Sequence, residues 1–202
     1  MYYYNENTVI YLDGEWVKAA DLKINVYNQT LHYGYGVFEG LRSYQTPKGV
    51  RVFKAKEHFE RLLQSAHRLH IQFDYSAKEL TDVVYQLLSR NKLTDTYIRP
   101  LIYLDNNMSV YPSKEVHLMM MAWDWYYYQK MDLIDVTISS YERPSPKSGP
   151  IDGKVVGHLT NTMLATAEAR SNGFDEAILL DNNGYVAQGA GANLFIEKGE
   201  KV

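Results

Sequence analysis

Two helix-patterned segments in succession, followed by two strand-like runs in succession, limit this chain more than any other feature. Residues 56–70 place Phe59, Leu62, Leu63, Ala66 and Leu69 at helical spacing. A second segment, from about Ser76 to Arg90, does the same with Leu80, Val83, Val84, Leu87 and Leu88. Thr96 to Leu104 and Val116 to Trp123 then read as strands. A doubly wound α/β sheet requires strands and helices to alternate, so this order predicts an α+β fold instead.

The flanking segments fill in the plan. Thr8 to Leu12 reads as a strand, and Asp13-Gly14 as a hairpin turn before Glu15-Trp16-Val17. Gly34, Gly36 and Gly40 punctuate an otherwise strand-like stretch, Tyr33 to Arg42, which signals a bulge or the close approach of another group. Pro47-Lys48-Gly49 turns the chain into a short strand at Val50 to Phe53. The run Trp125-Tyr126-Tyr127-Tyr128-Gln129-Lys130 breaks the pattern, giving an N-terminal domain over 1–125, a linker over 126–135 and a second domain over 136–202. In that second part we expect strands at Val136 to Ser140, Ala177 to Leu180, up to Gln188, and at Asn193 to Glu197. A helix from about Thr160 should end at Asn172-Gly173, where glycine suits the left-handed position. The final residues, Lys198 to Val202, read as a turn launching a strand that does not follow, so the C-terminal part is expected to be incomplete.

Composition removes several function classes. The 21 Lys+Arg against 24 Asp+Glu give a formal charge of −3, with no basic footprint for nucleic acid. With no cysteine, disulfides, thiolate zinc sites and cysteine nucleophiles are excluded, and no His pair shows metal-ligand spacing, so His32 and His67 read as structural. The N-terminus lacks the charge and apolar pattern of a signal peptide, and no apolar run spans a bilayer; the expectation is a cytoplasmic protein without membrane partners. Eighteen tyrosines suggest an aromatic-lined cavity or interface.

The loop over 143–153, rich in Pro, Ser and Gly, leads directly to Lys154. Most lysines in such a place are solvated. Here Val155, Val156, Gly157 and Leu159 follow, and apolar cover around the stem favours the neutral, nucleophilic amine. Such an amine can form a Schiff base with a carbonyl cofactor, and Gly157 would let a planar ring come close.

Five blocks surrounding this lysine resemble the class IV, or fold-type IV, pyridoxal-phosphate (PLP) aminotransferases, most of all the branched-chain amino acid enzymes. They are Thr30-Leu31-His32-Tyr33-Gly34-Tyr35-Gly36-Val37-Phe38-Glu39-Gly40-Leu41-Arg42, Lys56-Glu57-His58-Phe59-Glu60-Arg61-Leu62, Tyr97-Ile98-Arg99-Pro100-Leu101, Ser139-Ser140-Tyr141-Glu142-Arg143-Pro144 and Gly184 to Phe195. They keep the family's order and spacing across nearly the whole chain. Neither glycine cluster fits G-x-G-x-x-G, so a dinucleotide-binding fold has no support.

The resemblance implies a two-domain fold like that of D-amino acid aminotransferase, with PLP as cofactor. It implies amino-group transfer from Leu, Ile or Val to 2-oxoglutarate, in a homodimer or higher homo-oligomer. Lys154 matches the cofactor-holding lysine, which also carries the proton between substrate and cofactor. Arg61 matches the arginine that grips the cofactor phosphate; taken alone it could pair with Glu57 one helical turn back. Tyr33, Phe38, Gly40, Arg99, Trp125 and Tyr128 match substrate-pocket positions, with Arg99, helped by Tyr33, meeting the side-chain carboxylate of glutamate.

Two cofactor-flanking positions depart from the family. Gln188 stands where the family has a glutamate facing the pyridine nitrogen, and a neutral amide cannot stabilise a pyridinium charge. Leu159 stands where the branched-chain enzymes usually carry a tyrosine that hydrogen-bonds the phenolic oxygen. The C-terminal part that would complete the phosphate cup is also expected to be absent. The alternatives are therefore another class IV activity (D-amino acid aminotransferase or aminodeoxychorismate lyase) or a degenerate, non-catalytic relative.

Overall fold

The structure is a computed structural model that describes residues 3–125 and 133–199. The chain divides into two compact units, Met1–Tyr128 with Asp152–Gly157, and Gln129–Ile151 with His158–Val202.

In the first unit, strands β1 (Val9–Leu12), β2 (Glu15–Lys18), β3 (Gly36–Phe38), β4 (Leu41–Thr46), β5 (Gly49–Val52), β6 (Thr96–Leu104) and β7 (Val116–Asp124) form one sheet. Its order is β2-β1-β7-β6-β4-β5, with β3 also on β6, and every pairing is antiparallel. The β1–β2 turn places Asp13 at φ 48° and Gly14 at φ 98°, the double left-handed geometry whose twist matches the flanking strands.

Helices α2 (Ala55–Arg68) and α3 (Ala77–Asn91) supply the core facing this sheet. Their inward stripes, Phe59 and Leu62 with Leu80, Val84 and Leu87, cluster with Ile98, Ile102 and Leu104 of β6 and Leu118 and Met120 of β7. Helix α3 starts on a full capping box, Ser76 with Glu79, which satisfies two otherwise unpaired N–H groups.

β3 and β4 are one strand interrupted. Phe38 pairs with Leu101 and Leu41 with Ile98, an unbroken register along β6. Between them Glu39 N–H donates to Pro100 C=O at 3.0 Å, but Pro100 has no N–H to return the bond.

The stretch read as a strand from Tyr33 begins differently. A short helix α1 (Gln29–Tyr33), capped by the Asn28 side chain on Leu31 N–H, ends at Gly34 with φ 65°, and β3 starts only at Gly36. Five residues are too few to leave a helical period in the pattern. A Cβ on Gly34 would sit 2.7 Å from Gly157 Cα, and Gly157 N–H donates to Gly34 C=O at 3.0 Å. The group that comes close to Gly157 is thus the Gly34 backbone.

The second unit holds a three-stranded sheet of β8 (Val136–Ile138), β9 (Glu176–Leu180) and β10 (Val186–Gly189) in the order β10-β9-β8. β8 and β9 are parallel, β9 and β10 antiparallel. Helix α4 (Leu159–Ser171) packs through Ala165 and Ala169 against Ala177, Leu179 and Ala190, and Gly173 at φ 85° follows its end as expected. The strand expected at Asn193 to Glu197 does not form among the described residues. Phe195 and Ile196 are 80% and 71% exposed there, and a β-prone run without a neighbouring ladder gains nothing from extending.

Candidate active site

Strand alternation gives the first unit's sheet two chemically different faces. Val37, Leu41 and Ile98 point to the helices. Phe38, Arg42, Tyr97, Arg99 and Trp123 share the opposite face, because Arg42 pairs with Tyr97 and Tyr97 with Trp123 across the register.

On that face Phe38 is flanked by two cations. Arg99 Cζ lies 4.6 Å from the ring centroid and Lys154 Nζ 5.1 Å from it. Arg99 Nη2 donates to Tyr97 Oη at 2.9 Å. The Tyr97 ring is held in turn by Trp123 and Trp125, at centroid distances of 5.0 and 5.1 Å. Gly40 is where this ring passes the backbone: a Cβ there would meet Tyr97 Oη at 2.1 Å. Arg42 Nε, Arg99 Nε and Trp123 Nε1 are buried without an acceptor among the described residues. All three are donors, so the face is suited to a ligand rich in acceptors, such as a carboxylate.

Lys154 is fixed by its backbone. Its N–H donates to Ser65 Oγ at 3.0 Å, and its C=O accepts from Phe38 N–H at 3.1 Å. Val155 bridges Val37 as an added antiparallel pair on the edge of β3. Ser65, buried on α2, also donates to Arg61 C=O at 2.8 Å, so one hydroxyl ties the turn carrying Arg61 to the lysine.

Arg61 does not pair with Glu57, which instead accepts from Lys54 at 2.9 Å. Its Nε and Nη2 donate to the two oxygens of Glu39 at 2.5 and 2.8 Å. This side-on geometry spends one edge of the guanidinium and leaves the Nη1 edge for a second anion. Glu39 lies between Phe38 and Gly40 but on the helix side of the sheet, and it is fully buried. Burial pushes its pKa up; the hydrogen bonds from Arg61 and His58 outweigh this and hold it below the usual carboxylate range. Arg61 is shifted upward by the same pairing with Glu39.

The remaining expected positions are less concentrated. Tyr33 ends α1, half exposed, and donates to Met108 C=O at 2.9 Å; Arg99 takes its hydroxyl from Tyr97 instead. In the second unit, Gln188 is partly buried just after a bulge, since Val186 pairs with Leu180 and Gln188 with Leu179, leaving Ala187 unmatched. Such a bulge re-aims the side chain that follows it. Leu159 opens α4 at 36% exposure. Tyr128 lies outside the described residues.

Sequence reasoning missed Tyr97, Trp123, Glu39 and Ser65. Alternation alone places Tyr97 beside Arg99, two residues before it in the same strand. Nothing local in the sequence joins Glu39 to Arg61 or Ser65 to Lys154.

Comparison with known proteins places the chain. The pattern of class IV amino-transferases matches residues 36–202. A branched-chain-amino-acid aminotransferase of Pseudomonas aeruginosa is 40% identical over 196 residues, covering 94% of this chain and 64% of that protein. The crystal structure of the Escherichia coli branched-chain amino acid aminotransferase superposes with a TM-score of 0.87 at 36% identity, covering 91% of this chain and 63% of that one. The T.th. branched-chain amino acid aminotransferase, complexed with N-(5'-phosphopyridoxyl)-L-glutamate, gives 0.86 at 35% identity, with 92% and 62% covered. The chain thus spans less than two thirds of the length of these relatives. With matched sequence blocks, the shared fold and this lysine-bearing face together, the chain belongs to the class IV aminotransferase family.

Proposed function

We propose that this protein transfers the amino group of branched-chain L-amino acids to 2-oxoglutarate, using PLP held on Lys154. The observation that carries the reading is the Phe38 ring with Lys154 Nζ on it at 5.1 Å and Arg99 at 4.6 Å. One aromatic surface then carries both an amine that can bond a carbonyl and a guanidinium that can take a carboxylate. Residue types fit the cofactor: the half-exposed Arg61 fork keeps an edge for a phosphate, and Lys154 is registered to the same helix through Ser65. The phosphopyridoxyl-glutamate bound by the T.th. relative supports both cofactor and amino acceptor.

When bound, PLP supplies the electron sink for the pair left behind when the substrate α-carbon loses its proton. Lys154 would hold the cofactor through its side-chain amine, and that same Nζ would carry the proton taken from the substrate α-carbon. Arg61 would hold the phosphate dianion. Arg99, with the Tyr97 hydroxyl on its Nη2, would receive the side-chain carboxylate of glutamate; Tyr33, whose hydroxyl donates to Met108 C=O, is assigned to that pocket by the resemblance alone. Phe38, Trp125 and Tyr128 offer apolar cover to Leu, Ile and Val side chains, and Gly40 leaves the space that Tyr97 fills. The resemblance alone assigns Gln188 and Leu159 to cofactor-facing positions.

The same reading has an N-terminal domain to residue 125, a cofactor-binding domain from 136, a cytoplasmic location and a homodimer. Among the described residues no helix is long and apolar enough to cross a membrane. Dimer formation is supported by Val26, Leu31, Val110 and Tyr111, which are 66%, 68%, 93% and 78% exposed on two segments that Gln29 binds together through Ser109 and Tyr111 C=O.

Coupled assays with 2-oxoglutarate and L-leucine, D-alanine or aminodeoxychorismate test the substrate class. Turnover of L-leucine is expected, and activity confined to D-alanine or aminodeoxychorismate would replace the reading with the corresponding class IV enzyme. Gln188 favours a second reading, a degenerate, non-catalytic relative; that one is established if PLP binds weakly or not at all and no substrate in the panel is consumed.

A further inference from the structure

A carboxylate buried in an apolar core costs stability unless it is paired, and a position that keeps one merits a functional explanation. Glu39 is such a group. It is fully buried on the helix-facing side of the sheet, in the middle of the tripeptide whose outer members, Phe38 and Gly40, face the aromatic surface. It reaches Arg61 Nε at 2.5 Å and Nη2 at 2.8 Å, with His58 Nδ1 at 2.9 Å and its neighbour Gly40 N–H at 3.2 Å. Arg61 itself is 49% exposed and, on a helix surface, would otherwise sample many rotamers.

We infer that Glu39 is a positioning residue: it holds the Arg61 guanidinium side-on so that the Nη1 edge stays presented to the phosphate of the cofactor. This rests on the reading of Arg61 as the phosphate-binding arginine. Two effects of Glu39 oppose each other. Its negative charge weakens the pull of Arg61 on any anion, whereas its two fixed oxygens orient the fork and remove the entropy of ordering it. The geometry favours orientation, since the pairing is bidentate and the carboxylate cannot move within the core. The same strand then couples the two ends of the cofactor site: Phe38 under Lys154 on one face, Glu39 behind Arg61 on the other.

The test compares binding of PLP with that of pyridoxal, which lacks the phosphate, by visible absorbance titration of the full protein. Wild type, Glu39→Gln, Arg61→Ala, Arg61→Lys and the Glu39→Gln/Arg61→Ala double variant are each checked for folding by circular dichroism and Tm. Glu39→Gln is expected to weaken PLP by about tenfold, the low end of what losing a supporting partner costs a ligand-binding group. Pyridoxal affinity should stay within about twofold on the same ordering argument. In the double variant the Glu39 change should add nothing to Arg61→Ala.

Tighter PLP binding by Glu39→Gln, or equal losses for PLP and pyridoxal, would overturn the positioning role. If Glu39→Gln does not fold, Arg61→Lys decides: a point charge cannot be held side-on, so the preference for PLP over pyridoxal should be lost, and a retained preference refutes the inference. Should Arg61→Ala itself leave that preference intact, the phosphate reading fails instead, so the two failures are distinct.

Discussion

Gly40→Ala adds a single methyl group at the point where the structure has least room for it. The new Cβ would lie 2.1 Å from Tyr97 Oη and 2.7 Å from its Cζ. Gly40 is not among the glycines with positive φ, so alanine carries no backbone penalty and the effect is purely steric. Tyr97 cannot step aside freely, because Trp123 and Trp125 pack it at 5.0 and 5.1 Å and Arg99 bonds its hydroxyl at 2.9 Å. Overpacking of this kind costs about 1–3 kcal/mol. For a chain of this size each kcal/mol lowers Tm by about 2–4 °C. Removing the colliding oxygen with Tyr97→Phe should relieve part of the strain. A thermal-denaturation double-mutant cycle is therefore expected to show the pair less destabilised than the sum of the singles, by about 1 kcal/mol. The displaced hydroxyl should also raise KM for 2-oxoglutarate more than for L-leucine, since only the former has the second carboxylate for Arg99. An unchanged Tm for Gly40→Ala, or strict additivity with Tyr97→Phe, would refute the idea that this ring is locked over the glycine.

Three further outcomes are expected. Gln188→Glu should accelerate amino transfer by up to about a hundredfold, near the lower end of what one preorganised electrostatic partner contributes, in a single-turnover assay with L-leucine; an unchanged or slower rate counts against the electron-sink argument. Because the pKa of Glu39 is lowered by folding, its contribution is present above the ordinary glutamate pKa and lost as pH falls below it; Tm measured from neutral to acid pH should drop there, less steeply in Glu39→Gln. Ser65→Ala leaves the Lys154 N–H without its acceptor and should cost about 1–3 kcal/mol in chemical denaturation, while Ser65→Thr, which keeps the hydroxyl, should cost less.

The long elements were legible because their periods run for many residues. The α2 and α3 stripes and the nine-residue β6 and β7 could be read from spacing alone, as could the Asp13-Gly14 and Gly173 punctuation. Helix α1 was hidden by its five residues, and the apparent strand at Asn193 to Glu197 misled because β propensity acts only through a partner. The site divides in the same way. Lys154, Arg61, Phe38 and Arg99 stand in blocks whose order and spacing resemble a family. Glu39 behind Arg61 and Ser65 beneath Lys154 join residues 22 and 89 positions apart, and only the folded sheet and helix bring such pairs together.

Everything proposed for the reaction depends on Lys154 being the residue that bonds the cofactor. Incubation with PLP, reduction with borohydride and peptide mass mapping would locate the phosphopyridoxyl group on the chain. The expected result is a single modification on Lys154, absent in Lys154→Ala. Modification of a different lysine, or an equal yield in Lys154→Ala, would contradict the assignment.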